Sequence, residues 1–190
     1  MSTDVESGVR GRTRRAILSA AALALTRDRS ATLAMVAEEA GVGRTTLHRY
    51  FADREELLVA VIEDSWQAVE KSVRDAATDQ GPPLEAMTRL VAAMVDVGDR
   101  LLFLFGDPRA SEGRERPKPD VDPVLALIKR GQAEGVFDRQ IDAIWIRSVL
   151  WGLVYTGCAG ANEAQLPRHG VAPTVTRILF HGIDTTPASN

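Results

Sequence analysis

Cysteine is nearly absent from this 190-residue chain: Cys158 stands alone, so no disulfide can form within it. Histidine is almost as scarce, and His48, His169 and His181 lie too far apart in sequence to make a metal site, so no metal or cofactor is expected. A chain of this length buries a core without such staples, and the thiol usage fits a reducing, cytoplasmic compartment in which Cys158 is a small core residue. Long clean apolar runs are lacking too. The stretch "AIWIRSVLWGLVYTGCAG" carries Arg147 and falls short of the ~20 residues a membrane span requires. "RGRTRRAILSAAALAL" imitates a signal peptide, yet Asp4 and Glu6 precede its arginines, Ser19 interrupts it, and "TRDRS" follows where small residues should mark a cleavage site. No membrane association is expected. Finally, no segment alternates apolar and polar residues with the period of two that a half-buried strand needs.

What the chain does have is helical periodicity from Arg12 onward, which makes the expected fold class all-α. The net charge of −3 conceals a polarity: residues 1–52 carry eight arginines against five carboxylates, a local charge of +3, and the remainder is acidic. A first helix is expected over 12–26, turning Ile17, Leu18, Ala21, Ala24 and Leu25 to one face. Thr32 caps a second that Gly41 ends. Asp53 and Glu56 read as a capping box for a longer helix whose stripe is Leu58, Val61, Ile62, Ser65, Trp66, Val69 and Val73. Helices follow near 84–97 and 100–105, with Gly98 between them. The polar stretch "GDPRASEGRERPKPDVD", 106–122, reads as a mobile loop. Asp122 and Pro123 then open a helix stopped by Gly135, and two more are expected over 142–159 and 173–182.

The most informative stretch is "VAEEAGVGRTTLHRYFADREEL", residues 36–57. Two helices joined by a short glycine turn describe a helix-turn-helix, whose second helix lies in a DNA groove. Val36, Ala40, Val42, Leu47 and Tyr50 supply the inward contacts, which frees Arg44, Thr45, Thr46, His48 and Arg49 to face outward. Those residue types suit nucleic acid: arginine bonds guanine O6 and N7 with two donors, and threonine offers a hydroxyl and a methyl. Arg54 and the Tyr50 hydroxyl are placed to reach phosphates. So short a helix, rich in threonine and aromatics, is poorly justified by its own stability. Arg10, Arg12, Arg14 and Arg15 gather near the start of the first helix, where cations oppose the macrodipole and a phosphate backbone would offset the cost.

The segment "TLAMVAEEAGVGRTTLHRYFADREELL", Thr32 to Leu58, resembles the tetracycline-repressor (TetR) family of bacterial transcriptional regulators. The helix-turn-helix, the following "RYF" and the capped "DREEL" occur in that family's order. The resemblance implies a three-helix DNA-binding domain over residues 1–55, with 1–9 a disordered tail, and a ligand-binding and dimerisation domain over 56–190. It further implies a homodimer on a roughly palindromic double-stranded DNA operator, acting as a repressor and released by a small-molecule effector. Carried over by position, Thr32, Tyr50 and Arg54 would contact phosphates, and Arg44, Thr45, Thr46, His48 and Arg49 bases or backbone. Gly43 stands where a capping serine is frequent, Thr45 where a small residue or proline is common, and His48 where tyrosine is usual. These departures bear on operator sequence.

Beyond Leu84 the resemblance fades, and the residues must speak for themselves. The helix around Ile144–Ala159 is apolar nearly all round, so more than one partner must cover it. A second subunit is the economical choice, with Trp151, Gly152 and Val154, together with Ile178 and Leu179 of the last helix, at the interface, and Gly157 and Gly160 also permitting close approach. A pocket lined from Trp66, Met87, Leu90, Met94, Phe103, Phe105, Trp145 and Tyr155 would take a mostly apolar or aromatic effector. Two rivals, a helical enzyme and an all-α adaptor, fare worse. The first lacks a convergent nucleophile, base or metal set, and the second leaves the Arg/Thr/His surface unexplained.

Overall fold

A computed structural model of the chain describes residues 2–110 and 122–182, with side chains from Arg10 onward. All regular structure among these residues is helical. In order the helices are α1 (Ser2–Arg27), α2 (Leu33–Glu39), α3 (Arg44–His48), α4 (Arg54–Asp75), α5 (Pro83–Asp96), α6 (Gly98–Gly106), α7 (Pro123–Ala133), α8 (Ala143–Asn162) and α9 (Arg168–His181). A single 3₁₀ turn covers Pro108–Ala110, and the rest of the expected 106–122 loop up to Val121 lies outside the described residues.

Local chemistry accounts for most of these limits. Thr32 caps α2 by accepting from the Met35 N–H at 3.3 Å. Asp53 accepts from the Glu56 N–H at 2.8 Å, while Glu56 Oε2 accepts from the Ala52 N–H at 2.7 Å, one residue before the usual capping-box donor. Asp122 and Asp142 cap α7 and α8 in the same manner, and Gly135 ends the α7 region at φ +73°.

Three element limits differ from expectation. Helix α1 begins at Ser2, well before the expected start at Arg12. Arg10 to Arg15 therefore sit two to four turns inside the helix, and their supposed conflict with the macrodipole disappears, since that effect fades within the first turn. Helix α9 begins at Arg168 and runs through Pro173. Proline costs one backbone hydrogen bond there, but Val171 and Val175, each 2 % exposed, pack on the Gly157 face of α8 and carry the helix through. The break between α5 and α6 falls at Val97, and Gly98 opens α6.

The chain divides into two compact units, 1–68 with 99–113, and 69–98 with 114–190. The first unit takes in α4 as far as Ala68, and α6 from Asp99 onward groups with the N-terminal helices. In the first unit Ile17, Leu18, Ala21, Val36, Leu47, Phe51, Leu57, Leu58 and Val61 form the core, joined by Leu101 to Leu104 of α6. Arg100 fixes α6 within it. Its guanidinium pairs with Asp64 at 2.7 Å and donates to the Leu18 carbonyl at 3.1 Å and to Ser19 Oγ at 2.9 Å. In the second unit Met87, Leu90, Val91, Met94, Leu127, Ile128, Leu150 and Val154 are the core. Cys158 is part of it, packed against the backbone of Gly98, where an added Cβ would lie 2.6 Å from the sulfur.

Candidate DNA-reading surface

Helix α2 ends in a Schellman motif. Gly41 takes φ +64°, its N–H donates to the Glu38 carbonyl at 3.0 Å, and the Val42 N–H donates to the Ala37 carbonyl at 2.9 Å. Any L-residue at Gly41 would be strained, so glycine sets the corner angle. Gly43, in extended conformation, opens α3 without a side-chain cap. Leu47, fully buried, fastens this five-residue helix to the corner, with Val36 and Ala37 at 1 % and 2 % exposure beneath it.

The lock on the far side is a residue that the sequence pattern did not single out. Phe51 is 1 % exposed, whereas Ala40, Val42 and Tyr50, expected as inward contacts, are only half-buried. The apolar Phe51, two residues before the Asp53 cap, is the available signal, hidden because Tyr50 beside it satisfies the helical period equally well. Arg14 of α1 lies over the Phe51 ring at 5.4 Å, a cation–π contact that gives one of the clustered arginines a role within the fold. Arg10, Arg12 and Arg15 are exposed, and Arg15 also donates to the Gly11 carbonyl.

The corner leaves a compact outward set: Arg44, Thr45, His48 and Arg49 are exposed, and Thr46 is half-buried. His48 Nδ1 lies 3.3 Å from the Ala52 carbonyl, which it meets as a donor, so the neutral ring offers Nε2 as an acceptor. Thr32 is exposed, with its hydroxyl oxygen already accepting from α2. Arg54 departs from expectation. Its guanidinium donates to the Arg29 carbonyl and to the Ala31 carbonyl at 3.4 Å, tying the α1–α2 turn to the start of α4 rather than standing free for a phosphate.

At the end of α6 the same unit carries a second polar clamp. Asp107, with its side chain 7 % exposed, holds Arg109 through paired contacts of 3.0 and 2.8 Å. The Arg109 hydrogen bonds hold the Asp107 carboxyl below the ordinary carboxylate value against the opposing effect of burial, with Arg29 adding to the lowering.

The residues expected to line one pocket are divided between the two units. Trp66, Phe103 and Phe105 belong to the first unit, where Phe103 is buried and Phe105 is 57 % exposed. Leu90 and Met94 are fully buried core of the second unit, and Tyr155 is exposed. Met87 and Trp145 do share a cavity, of about 320 Å³, with Leu84, Val136, Phe137, Asp138, Ile141, Ile146, Val149, Leu179 and Phe180. The interface expectations also divide. Val154 is wholly buried within its own chain, and Leu179 lines the cavity. Gly157 and Gly160 are explained by Val171 and Leu166 of the same chain, whose atoms an added Cβ would meet at 2.7 and 3.1 Å. Gly152, by contrast, is exposed in mid-helix with open space around it.

A glycine-cornered helix pair presenting a short Arg/Thr/His helix defines a helix-turn-helix transcriptional regulator. The chain belongs to the tetR family of bacterial regulatory proteins, whose N-terminal family model matches residues 17–61. It is 33% identical over 189 residues to the HTH-type transcriptional repressor LfrR of Mycolicibacterium smegmatis, covering 98% of each chain. The HTH-type transcriptional regulator NfxB of Pseudomonas aeruginosa is 29% identical over 174 residues, spanning 87% of this chain and 91% of that protein. Crystal structures of LfrR superpose with a TM-score of 0.74 alone (31% identity) and 0.70 in complex with proflavine (30% identity), each covering 94% of this chain and 99% of LfrR. These relatives are regulators and not enzymes. Among the described residues no helix is long and apolar enough to cross a membrane.

Proposed function

We propose that the protein is a cytoplasmic homodimeric repressor that reads a roughly palindromic operator and releases it on binding a small, mostly apolar molecule. The observation that carries the reading is the α2–α3 corner. A five-residue helix is held by Leu47 and Phe51 while Arg44, Thr45, His48 and Arg49 are left to solvent. Such a helix spans under two turns, so its whole outer face meets one major groove. Arg44 and Arg49 read guanine or phosphate, Thr45 and Thr46 meet a thymine methyl or a phosphate, and His48 accepts from adenine N6 or cytosine N4 through Nε2. Tyr50, Thr32 and the exposed Arg10, Arg12 and Arg15 contribute backbone contacts, with Arg54 positioning the turn from behind.

The dimer reading rests on Gly152. A glycine inside a helix costs about 0.5–1 kcal/mol against alanine, and nothing among the described residues requires it. Close approach of a second copy, joined by half-buried Trp151 and Ile178, supplies the reason. Such an isologous contact places two reading helices on half-sites about one helical turn apart or a little more. The effector acts as a population shift toward a spacing that misses the half-sites. That LfrR has been solved with proflavine supports small-molecule control in this chain as well.

The test is selection of bound DNA from a random pool, followed by titration of the selected site over a range of salt concentrations. An inverted repeat is expected, with log K falling by roughly 0.9 per log unit of salt for each phosphate neutralised. Absence of any enriched sequence together with salt-insensitive binding overturns the proposal.

A further inference from the structure

We infer that the cavity between the end of α4 and the start of α7 is a binding site for a small apolar monocarboxylate, anchored by Arg74 and the Thr78 hydroxyl. The cavity has a volume of about 430 Å³ and lies wholly within the second unit. None of its lining residues belongs to α8 or α9, so the face given above to a second subunit takes no part in it. Val73, Pro123, Ala126 and Leu127 form an apolar wall.

The turn that follows α4 is built to hold Thr78 at this wall. Ala77 takes φ +47°, a left-handed conformation that a residue with a Cβ rarely adopts. Two guanidiniums fix it there. Arg89 donates to the Ala76, Ala77 and Gln80 carbonyls at 3.0, 3.0 and 2.7 Å, and Arg130 donates to the Thr78 and Gly81 carbonyls at 3.0 and 2.7 Å. The Thr78 carbonyl is thereby satisfied and its hydroxyl is not. The residue lines the cavity at 6 % exposure, and its Oγ1 has no hydrogen-bond partner among the described residues. A buried hydroxyl without a partner costs free energy that a bound acceptor recovers.

Charge selects the ligand. Arg74 and Asp79 line the cavity, are exposed, and form no ion pair among the described residues; Asp75, beside Arg74, is taken by Lys71. Arg130 adds a second positive charge, its nearest carboxylate being Glu134 at 3.9 Å. Two cations and one carboxylate on the lining favour an anion. Of the two guanidiniums, Arg130 is engaged by carbonyls, so Arg74 has its planar fork free to meet a carboxylate with two parallel hydrogen bonds. The Thr78 hydroxyl then donates to the same group, and the apolar wall takes the body of the ligand, for which the volume allows about two fused rings.

Naphthalene-2-carboxylate and its neutral amide have nearly the same shape and separate charge from packing. Calorimetric titration of each into the full-length protein without DNA should show one carboxylate bound per chain and the amide roughly tenfold weaker. Arg74→Gln, at an exposed and unpaired position, should weaken the carboxylate roughly fivefold, and Asp79→Asn should tighten it roughly twofold by removing the opposing charge. Thr78→Val keeps nearly the volume of the native side chain. It should weaken the carboxylate roughly three- to tenfold while leaving stability to urea unchanged or slightly raised, because the hydroxyl it removes has no partner in the protein alone. A loss of stability in Thr78→Val shows that the fold itself uses the hydroxyl and overturns the assignment. Equal affinity of carboxylate and amide overturns the ligand class. Binding indifferent to both Arg74→Gln and Thr78→Val, or absent at millimolar carboxylate, overturns the site. The operator reading is tested separately, since none of these titrations contains DNA.

Discussion

Arg44 carries the sharpest residue-scale prediction. Its side chain is exposed at the first position of α3 and pairs with no carboxylate among the described residues, so its removal costs the fold little. Arg44→Ala should lose ~1–3 kcal/mol on the selected operator and much less on random DNA, as measured by competition binding. Equal losses on both would assign it to the phosphates. Asp107 tests stability instead. Because its folded pKa is depressed, it stabilises the protein above the ordinary carboxylate value of 3.8, and this contribution is lost as pH falls through the lower folded value. Asp107→Asn should therefore cost about 1–2 kcal/mol in urea unfolding at neutral pH, and the gap from wild type should close in acid. A gap independent of pH would show that packing rather than charge holds Arg109.

At the scale of elements, α6 is decided by one guanidinium. Arg100 is 13 % exposed and Asp64 22 %, and burial lowers the arginine's pKa against the opposing Asp64 and Asp99 charges while leaving it ionised. Arg100→Met leaves the part-buried Asp64 carboxylate without its guanidinium partner. A loss of about 2–4 kcal/mol is expected, little affected by salt because the pair is screened from solvent. Thermal unfolding in low and high salt checks it. Sequence periodicity placed α6 correctly as a helix but could not say which helices it would join. Arg100, Asp64 and Ser19 are distant in sequence, and no spacing rule links them. The α2–α3 corner was legible for the opposite reason. Its glycine, its cap and its outward residues all lie within one short segment, where backbone geometry dictates facing. Phe51 and Arg54 escaped because each had a plausible local alternative, a period-matching neighbour in one case and an exposed helix start in the other.

For the molecule as a whole the question is assembly. Light scattering at micromolar concentration should return the mass of two chains, and Gly152→Arg should return one chain while preserving the helical circular dichroism signal. In the single chain that side chain meets open space, so a folding defect is not expected. Operator affinity should fall with the dimer, since each half-site is then bound separately. An unchanged mass would move the interface away from the Gly152 face of α8.

By itself the sequence determined the helical class, the caps that open α2 and α7, the corner at Gly41 and the outward facing of Arg44, Thr45, His48 and Arg49. These follow from caps, glycine conformations and periodicity, which act over a few residues. Only the tertiary structure decided that α6 joins the N-terminal helices, that Val154 and Gly157 serve their own chain, and that Phe137, Asp138, Trp145 and Phe180 meet around one cavity. Which apolar faces meet depends on packing between segments far apart in the chain. Periodicity specifies that a face is apolar and carries no information about what covers it.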